Sequence, residues 1–231
     1  MTDFFRFPQT PHLAWLGEGQ PRDDKVLALE EVDDLLSCNL VVEEKIDGAN
    51  LGLSTTEEGE LRAQNRGSYL SRDLHHEQFR PLWQWLVPRE QTLVDALWPD
   101  RILFGEWCVA VHSVRYDRLP DWFLGFDVYD KATDRFWNTA RRDGLLAELG
   151  LAVVPRLAAG RFTLDDLVSL MAGSRVGSLP MEGLVMRREA DGWTTARAKL
   201  VRASFTQDID EHWSRGPLRR NALAGGASTW P

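Results

Sequence analysis

Apolar positions recur along the chain at two periods. Alternation or short apolar runs at 40–46, 49–54, 61–65, 101–107, 123–129, 152–155, 183–188 and 193–201 predict strands. Apolar residues three or four apart predict helices over 74–86, 89–97, 139–149 and 163–172, with a short one near 26–37. Several strands come in pairs joined by polar turns, as at Glu57-Glu58-Gly59-Glu60 and Glu189-Ala190-Asp191-Gly192, which is the pattern of antiparallel hairpins. The predicted fold class is therefore α+β, with antiparallel sheets and a few helices, rather than doubly wound. Residues 1–25 carry Pro8, Pro11 and Pro21 and read as an extended arm laid over the domain, while 214–231 read as a fraying tail. Without repeats or an obvious linker, residues 1–231 are expected to form a single domain, with 203–231 as a short C-terminal extension.

Composition narrows the class. With 231 residues, 43% of them hydrophobic, the chain can bury a sizeable core. Ten tryptophans are present, and Trp83, Trp85, Trp98, Trp107 and Trp122 sit in apolar surroundings that predict packing. The two cysteines, Cys38 and Cys108, have no zinc-ligand spacing and fit a reduced, cytoplasmic protein. Nothing in the N-terminal sequence resembles a signal peptide, and no apolar run is long enough for a membrane span. A net charge of −8 argues against a generally basic, nucleic-acid-coating surface. It leaves room for a local groove, since Arg187, Arg188, Arg197, Lys199, Arg202, Arg215, Arg219 and Arg220 gather late in the chain, where a solvated charged face is the alternative.

The chemistry concentrates at strand ends. Lys45-Ile46-Asp47-Gly48-Ala49-Asn50 follows an apolar run and precedes an alternating one, so a lysine stands where a strand stops. A lysine nucleophile needs its proton removed, Asp47 can orient an amine or a metal, and Gly48 permits close backbone approach. A plain strand-to-turn junction has the same composition. Glu106 ends the apolar strand Ile102-Leu103-Phe104-Gly105, where it suits a ribose hydroxyl pair or a strand-end ion pair. Phe126, in Phe126-Asp127-Val128-Tyr129-Asp130, is a stacking platform for a purine or an ordinary core residue. Glu182 and Gly183 begin another strand, and Arg197 and Lys199 fall on one face of the next, where a phosphate would relieve their repulsion or where they guard a sheet edge. His12, His75, His76, His112 and His212 show no triad or metal spacing and read as surface or packing residues.

Taken in order, Lys45-Ile46-Asp47-Gly48, Phe104-Gly105-Glu106, Phe126-Asp127-Val128-Tyr129-Asp130, Glu182-Gly183-Leu184-Val185 and Arg197-Ala198-Lys199 resemble the successive motifs of covalent nucleotidyltransferases, the superfamily of ATP-dependent polynucleotide ligases and mRNA capping enzymes. Asn50, Arg66 within Gln64-Asn65-Arg66-Gly67, and the Phe-Gly-Glu form of the second segment resemble the phage-type ligases that seal nicks in double-stranded RNA. The resemblance spans about residues 40–202 and implies a nucleotidyltransferase, ATP-grasp-like domain of antiparallel sheets flanked by helices. It implies that Lys45 attacks the ATP α-phosphate and carries AMP, that Glu106 holds the ribose, and that Phe126 stacks on adenine. Glu44 and Ile46, beside the lysine, join the ATP/AMP-binding set. Glu182, with Asp47, would bind Mg²⁺ or Mn²⁺, Lys199 and Arg197 would neutralise the α-phosphate, and Asn50 and Arg66 would serve the nucleic-acid steps.

Two departures stand out. Arg197 occupies a position usually held by lysine, exchanging a compact charge for a rigid fork. The stretch after Lys199 is too short for an OB-fold domain, which disfavours a DNA ligase or a capping enzyme. Strand capture is then expected to rely on 207–213 and the basic tail, or on an RNA-capturing or end-processing partner protein. The expected function is ATP-dependent joining of RNA 3′-hydroxyl and 5′-phosphate ends through lysyl-AMP and RNA-adenylylate, in RNA repair. The alternatives are a minimal DNA ligase, an adenylyltransferase that does not seal, and a non-catalytic nucleotide-binding module.

Overall fold

The computed structural model describes residues 4–18, 25–73, 76–203, 205 and 218–225. Helix α1 (Leu29–Leu36) leads into β1 (Leu40–Lys45), β2 (Ala49–Thr55) and β3 (Leu61–Gln64), followed by α2 (Arg80–Leu86) and α3 (Glu90–Leu97). Next come β4 (Arg101–Trp107), β5 (Phe123–Asp130), β6 (Arg135–Phe136), α4 (Thr139–Glu148), β7 (Ala152–Val153) and β8 (Arg156–Gly160). Helix α5 (Leu164–Leu170) and the hairpin of β9 (Gly183–Ala190) and β10 (Trp193–Val201) follow. One antiparallel sheet has the order β10-β9-β1-β8; the other runs β3-β2-β4-β5-β6, with β7 joining β5 in parallel. The α+β expectation of antiparallel sheets flanked by helices is met, and among the described residues the sheets close no barrel.

Local chemistry accounts for the turns. At the tip of the β9–β10 hairpin, Asp191 (φ 52°) and Gly192 (φ 82°) lie in the left-handed region that a two-residue hairpin turn demands. Helix α5 starts at a capping box in which Thr163 Oγ1 accepts from the Asp166 amide and the Asp166 carboxylate accepts from the Thr163 amide.

Each sheet has its own core. Leu82, Trp85 and Leu86 of α2 and Leu93 and Leu97 of α3 pack with Leu51, Leu53, Leu103 and Trp107 of the larger sheet. Leu35 of α1 and Leu167 and Met171 at α5 cover Val42, Leu184, Met186 and Leu200 of the smaller one. A third cluster is completed by the N-terminal arm, whose Phe5 stacks on Tyr129 and whose Phe7 meets Phe104, Phe126 and Phe136. Backbone hydrogen bonds hold the arm to β10, from Lys199 N to Pro11 O and from Leu13 N to Lys199 O.

The structure departs from the sequence reading in several places. Residues 218–225 are not frayed: they bridge to the β4–β5 connection at Ala110 and Leu119, with Asn221 buried. The remainder of that tail, the 207–213 segment, His75 and His212 lie outside the described residues. Trp98, expected in the core, is 52% exposed because it caps the end of α3, where its indole N–H reaches Glu57 O in the β2–β3 turn. Strand β8 is an unanticipated edge strand whose Ala158 and Ala159 give little alternation, and β6 is too short to carry a period. Among the described residues no helix is long and apolar enough to cross a membrane.

Candidate active site

Strands β1 and β2 belong to different sheets, so Ile46-Asp47-Gly48 carries the chain from one to the other and leaves Lys45 at the seam. Lys45 pairs with Gly183, and its Nζ donates to Glu182 Oε2 at 2.7 Å. Tight packing explains the glycines here. A Cβ on Gly48 would stand 2.9 Å from Trp107 O, and one on Gly183 would stand 2.2 Å from Leu200 O. Alternation along β1 puts Glu44 on the opposite face, where its carboxylate accepts from Ser174 Oγ and the Arg175 amide.

Between the sheets lies a cavity of about 330 Å³, large enough for a small organic ligand. Of the residues singled out in the sequence, Lys45, Glu44, Ile46 and Asn50 line it from the β1–β2 passage, Glu106 from the larger sheet and Arg66 from the loop after β3. Phe126, Arg197 and Lys199 complete that set. Glu182 reaches the site through Lys45. Asp47 turns away from it: Oδ2 accepts from the Ser113 and Val114 amides at 2.6 and 2.8 Å.

Asn50 and Glu106 face each other across the β2–β4 register, and Asn50 Oδ1 and Glu106 Oε2 are buried with no hydrogen-bond partner. Buried acceptors without donors are rare, and two of them on a cavity wall suit a ligand that brings hydroxyl groups. Arg66 sits exposed at the rim on a loop held by Asn65, whose Oδ1 accepts from the Gly67 and Ser68 amides. Arg197, expected beside a phosphate, is instead matched to buried Asp127 at 2.6 Å and lies over the rings of Phe7 and Phe136.

Sequence reasoning missed part of the wall. Phe7 and Thr10 enter from the arm, and Glu43, Asp127 and Arg187 form a buried ion-pair chain that Arg142 of α4 completes. The one available signal was the placement of Glu43 and Arg187 inside otherwise apolar strands, where an unpaired charge is too costly to bury.

The electrostatics centre on Lys45. Burial pulls its pKa down, but Glu182, Glu106 and Asp47 outweigh that and hold it above the ordinary lysine value, so in the free protein it is an ammonium ion. Burial, with nearby carboxylates adding to it, raises Glu106 to about 8 and Glu182 to about 7, against the opposing pull of Lys45. A carboxyl raised in the folded state stabilises the protein most below its unfolded pKa of 4.5, and that stability is lost as pH rises through the folded value. Glu106→Gln, which mimics the protonated form, is expected to flatten the decline in denaturation midpoint of the free protein between about pH 5 and pH 8. Equal slopes for variant and wild type in a denaturant titration would show that Glu106 is not the group responsible.

Two antiparallel sheets facing each other across a cleft, with a lysine at the seam and carboxylates around it, define a nucleotidyltransferase domain. The RNA ligase family model matches residues 39–201, and the chain belongs to that family. No curated protein matches it. A mutant of Naegleria gruberi RNA ligase with ATP and Mn superposes with a TM-score of 0.64 at 16% identity, over 88% of this chain and 58% of the other. The Naegleria gruberi RNA ligase with PPi gives 0.57 at 18% identity, over 90% and 61%. An archaeal ATP-dependent RNA ligase gives 0.56 at 20%, over 87% and 48%. At these identities the likeness is one of fold, and the chain spans less than two thirds of the length of each of these proteins.

Proposed function

We propose that this protein is an ATP-dependent RNA ligase that works through a covalent lysyl-AMP. The observation that carries the reading is Lys45, fixed at the seam of the cavity with its amine 2.7 Å from the Glu182 carboxylate and facing the unpaired acceptors of Asn50 and Glu106. Phe126 from one sheet and Val185 from the other give apolar walls for an adenine, Glu106 accepts from the ribose hydroxyls, and Lys199 neutralises the α-phosphate. The Lys45 ammonium must lose its proton before attack, an uphill step in the free protein because its pKa is held above the ordinary lysine value, and Glu182, 2.7 Å away, is the acceptor that touches it. The freed amine attacks the α-phosphorus, a phosphorus–nitrogen bond forms, and pyrophosphate leaves. A 5′-phosphate oxygen of the RNA, guided by Arg66 at the rim, then displaces Lys45 to give the RNA-adenylylate. The 3′-hydroxyl attacks that 5′-phosphate, and AMP departs.

Among the described residues no group of three or more His, Cys, Asp or Glu side chains forms a ready metal cage. A magnesium-like ion that keeps its water and takes phosphate oxygens needs only one or two carboxylates, and Glu182 fits that need. Asp47 is less suited, because it is absent from the cavity lining and its Oδ2 is held by two backbone amides outside it. When bound, Mg²⁺ or Mn²⁺ supplies charge neutralisation on the triphosphate.

RNA ends or a nicked duplex are the polynucleotide partner in this reading, with repair as the role. A helper protein that captures or prepares the ends, and a cytoplasmic setting in keeping with free Cys38 and Cys108, complete it. The test is incubation with α-labelled ATP and Mg²⁺ followed by nicked RNA. Label retained on the protein from ATP, and then sealed RNA, is the expected result. Label that stops at AMP-capped strands points to a non-sealing adenylyltransferase, and sealing of nicked DNA alone to a DNA ligase.

A further inference from the structure

The passage that carries Lys45 across the seam is not held by its own sheets alone. The Asp47 amide donates to Tyr116 Oη at 2.8 Å, and the Asp47 carboxylate accepts from Ser113 and Val114 on the same β4–β5 connection. The Tyr116 amide donates to Asn221 Oδ1 at 2.8 Å, while Asn221 Nδ2 donates to Cys108 O and Ala110 O at 2.8 and 3.0 Å. Backbone bonds run beside these, from Asn221 N to Val109 O and from Ala222 N to Tyr116 O. Tyr116 is fully buried and Asn221 is 3% exposed, so neither side chain meets solvent or the cavity. Asn221 thus ties the start of the connection, at Cys108 and Ala110, to Tyr116, and Ser113, Val114 and Tyr116 grip the residue two positions after the lysine. The cost of leaving such buried donors and acceptors unpaired keeps the clasp closed.

We infer that Tyr116 and Asn221 are positioning residues for the nucleophile: the segment 218–225 straps the β4–β5 connection, and the connection sets where Ile46-Asp47-Gly48, and with it Lys45 Nζ, stands relative to the α-phosphate. This rests on Lys45 being the nucleophile. Removing a link leaves the cavity walls intact, so nucleotide still binds, but the amine loses its in-line placement.

The test is single-turnover transfer of label from α-labelled ATP, measured across ATP concentrations to separate the rate from the affinity. Tyr116→Phe deletes one oxygen from the chain and keeps the ring. It is expected to slow lysyl-AMP formation by about 10- to 100-fold, the scale of an ångström-sized misplacement, with the half-saturating ATP concentration unchanged. Asn221→Ala is expected to act in the same direction, and the double variant to be no slower than the slower single one, because links of one chain do not add. Hydrogen exchange in the free protein gives a readout independent of activity, with the Ser113 and Val114 amides exchanging faster in Tyr116→Phe. If Asn221→Ala fails to fold, Tyr116→Phe decides alone. Wild-type rate and unchanged exchange in Tyr116→Phe overturn this inference and leave the ligase reading standing. Absence of label on the wild-type protein overturns both.

Discussion

Lys45→Ala is expected to abolish retention of AMP on the protein and to lower sealing of nicked RNA from ATP by on the order of 10⁴-fold or more, as loss of a covalent nucleophile does elsewhere. In the proposed mechanism the phosphorus–nitrogen bond needs an amine at the seam of the two sheets, and Lys45 is the one that touches Glu182. The variant should nevertheless fold. Glu106 and Glu182 already have pKa values of about 8 and about 7 with the ammonium beside them, and without it they rise further and become neutral rather than remaining as buried charges. A strand supplied already adenylylated bypasses the missing bond, so joining of that substrate is expected to survive in the variant far better than joining from ATP. The check is a denaturing gel with α-labelled ATP beside a joining assay on pre-adenylylated RNA. Label retained by the variant would place the nucleophile elsewhere and remove the basis of the mechanism.

Several residues of the candidate site are legible in the sequence, because they stand where secondary structure changes. Lys45, Glu106 and Glu182 lie at strand ends, and a strand end is marked by the break in alternation as well as by the residue itself. The hairpins were legible for a related reason: Asp191-Gly192 satisfies a backbone conformation that few other residues tolerate. What escaped notice depends on contacts between distant segments. Asp47 looked like a metal ligand because carboxylates are; only the fold shows that two amides from 113 and 114 occupy one of its oxygens. The Gly and Ala content of the tail predicts fraying, yet the buried Asn221 side chain and the backbone bonds of Arg219, Ala222 and Ala224 dock 218–225. Arg197 was paired with a phosphate by alternation, and the same alternation is satisfied by Asp127 from the facing sheet, which lies 70 positions away in the chain.

The ion-pair chain behind the cavity carries the largest stability effect expected of a single side chain. Arg187, 2% exposed, donates Nε to Glu43 Oε2 at 2.8 Å, Nη1 to Asp127 Oδ1 at 2.6 Å and Nη2 to Phe126 O at 3.0 Å. Arg142 takes the other oxygen of Glu43, and Arg197 the other oxygen of Asp127. Burial by itself would raise Glu43, but Arg142 and Arg187 together hold it below the ordinary carboxylate range, so it is charged at neutral pH. Arg187→Met fills similar space and leaves two buried carboxylates sharing fewer cations, a change expected to cost about 3–5 kcal/mol in chemical denaturation. The sign of its pH dependence follows from the same charges. Carboxylates that lose a cation have raised folded-state pKa values, so the variant gains relative stability from proton uptake at low pH and loses it as pH rises. The deficit should therefore be smaller at about pH 5 than at about pH 8. Glu43→Gln added to Arg187→Met should recover part of the loss, since removing both members of a buried pair costs less than stranding one. Because Arg187 and Arg142 also hold Phe126 O, the strand that presents Phe126 to the cavity should loosen in Arg187→Met, and ATP should bind more weakly even where the variant is fully folded. A deficit below about 1 kcal/mol at every pH would mean that water or backbone movement compensates Glu43 and Asp127, and that the chain does not brace the cavity wall.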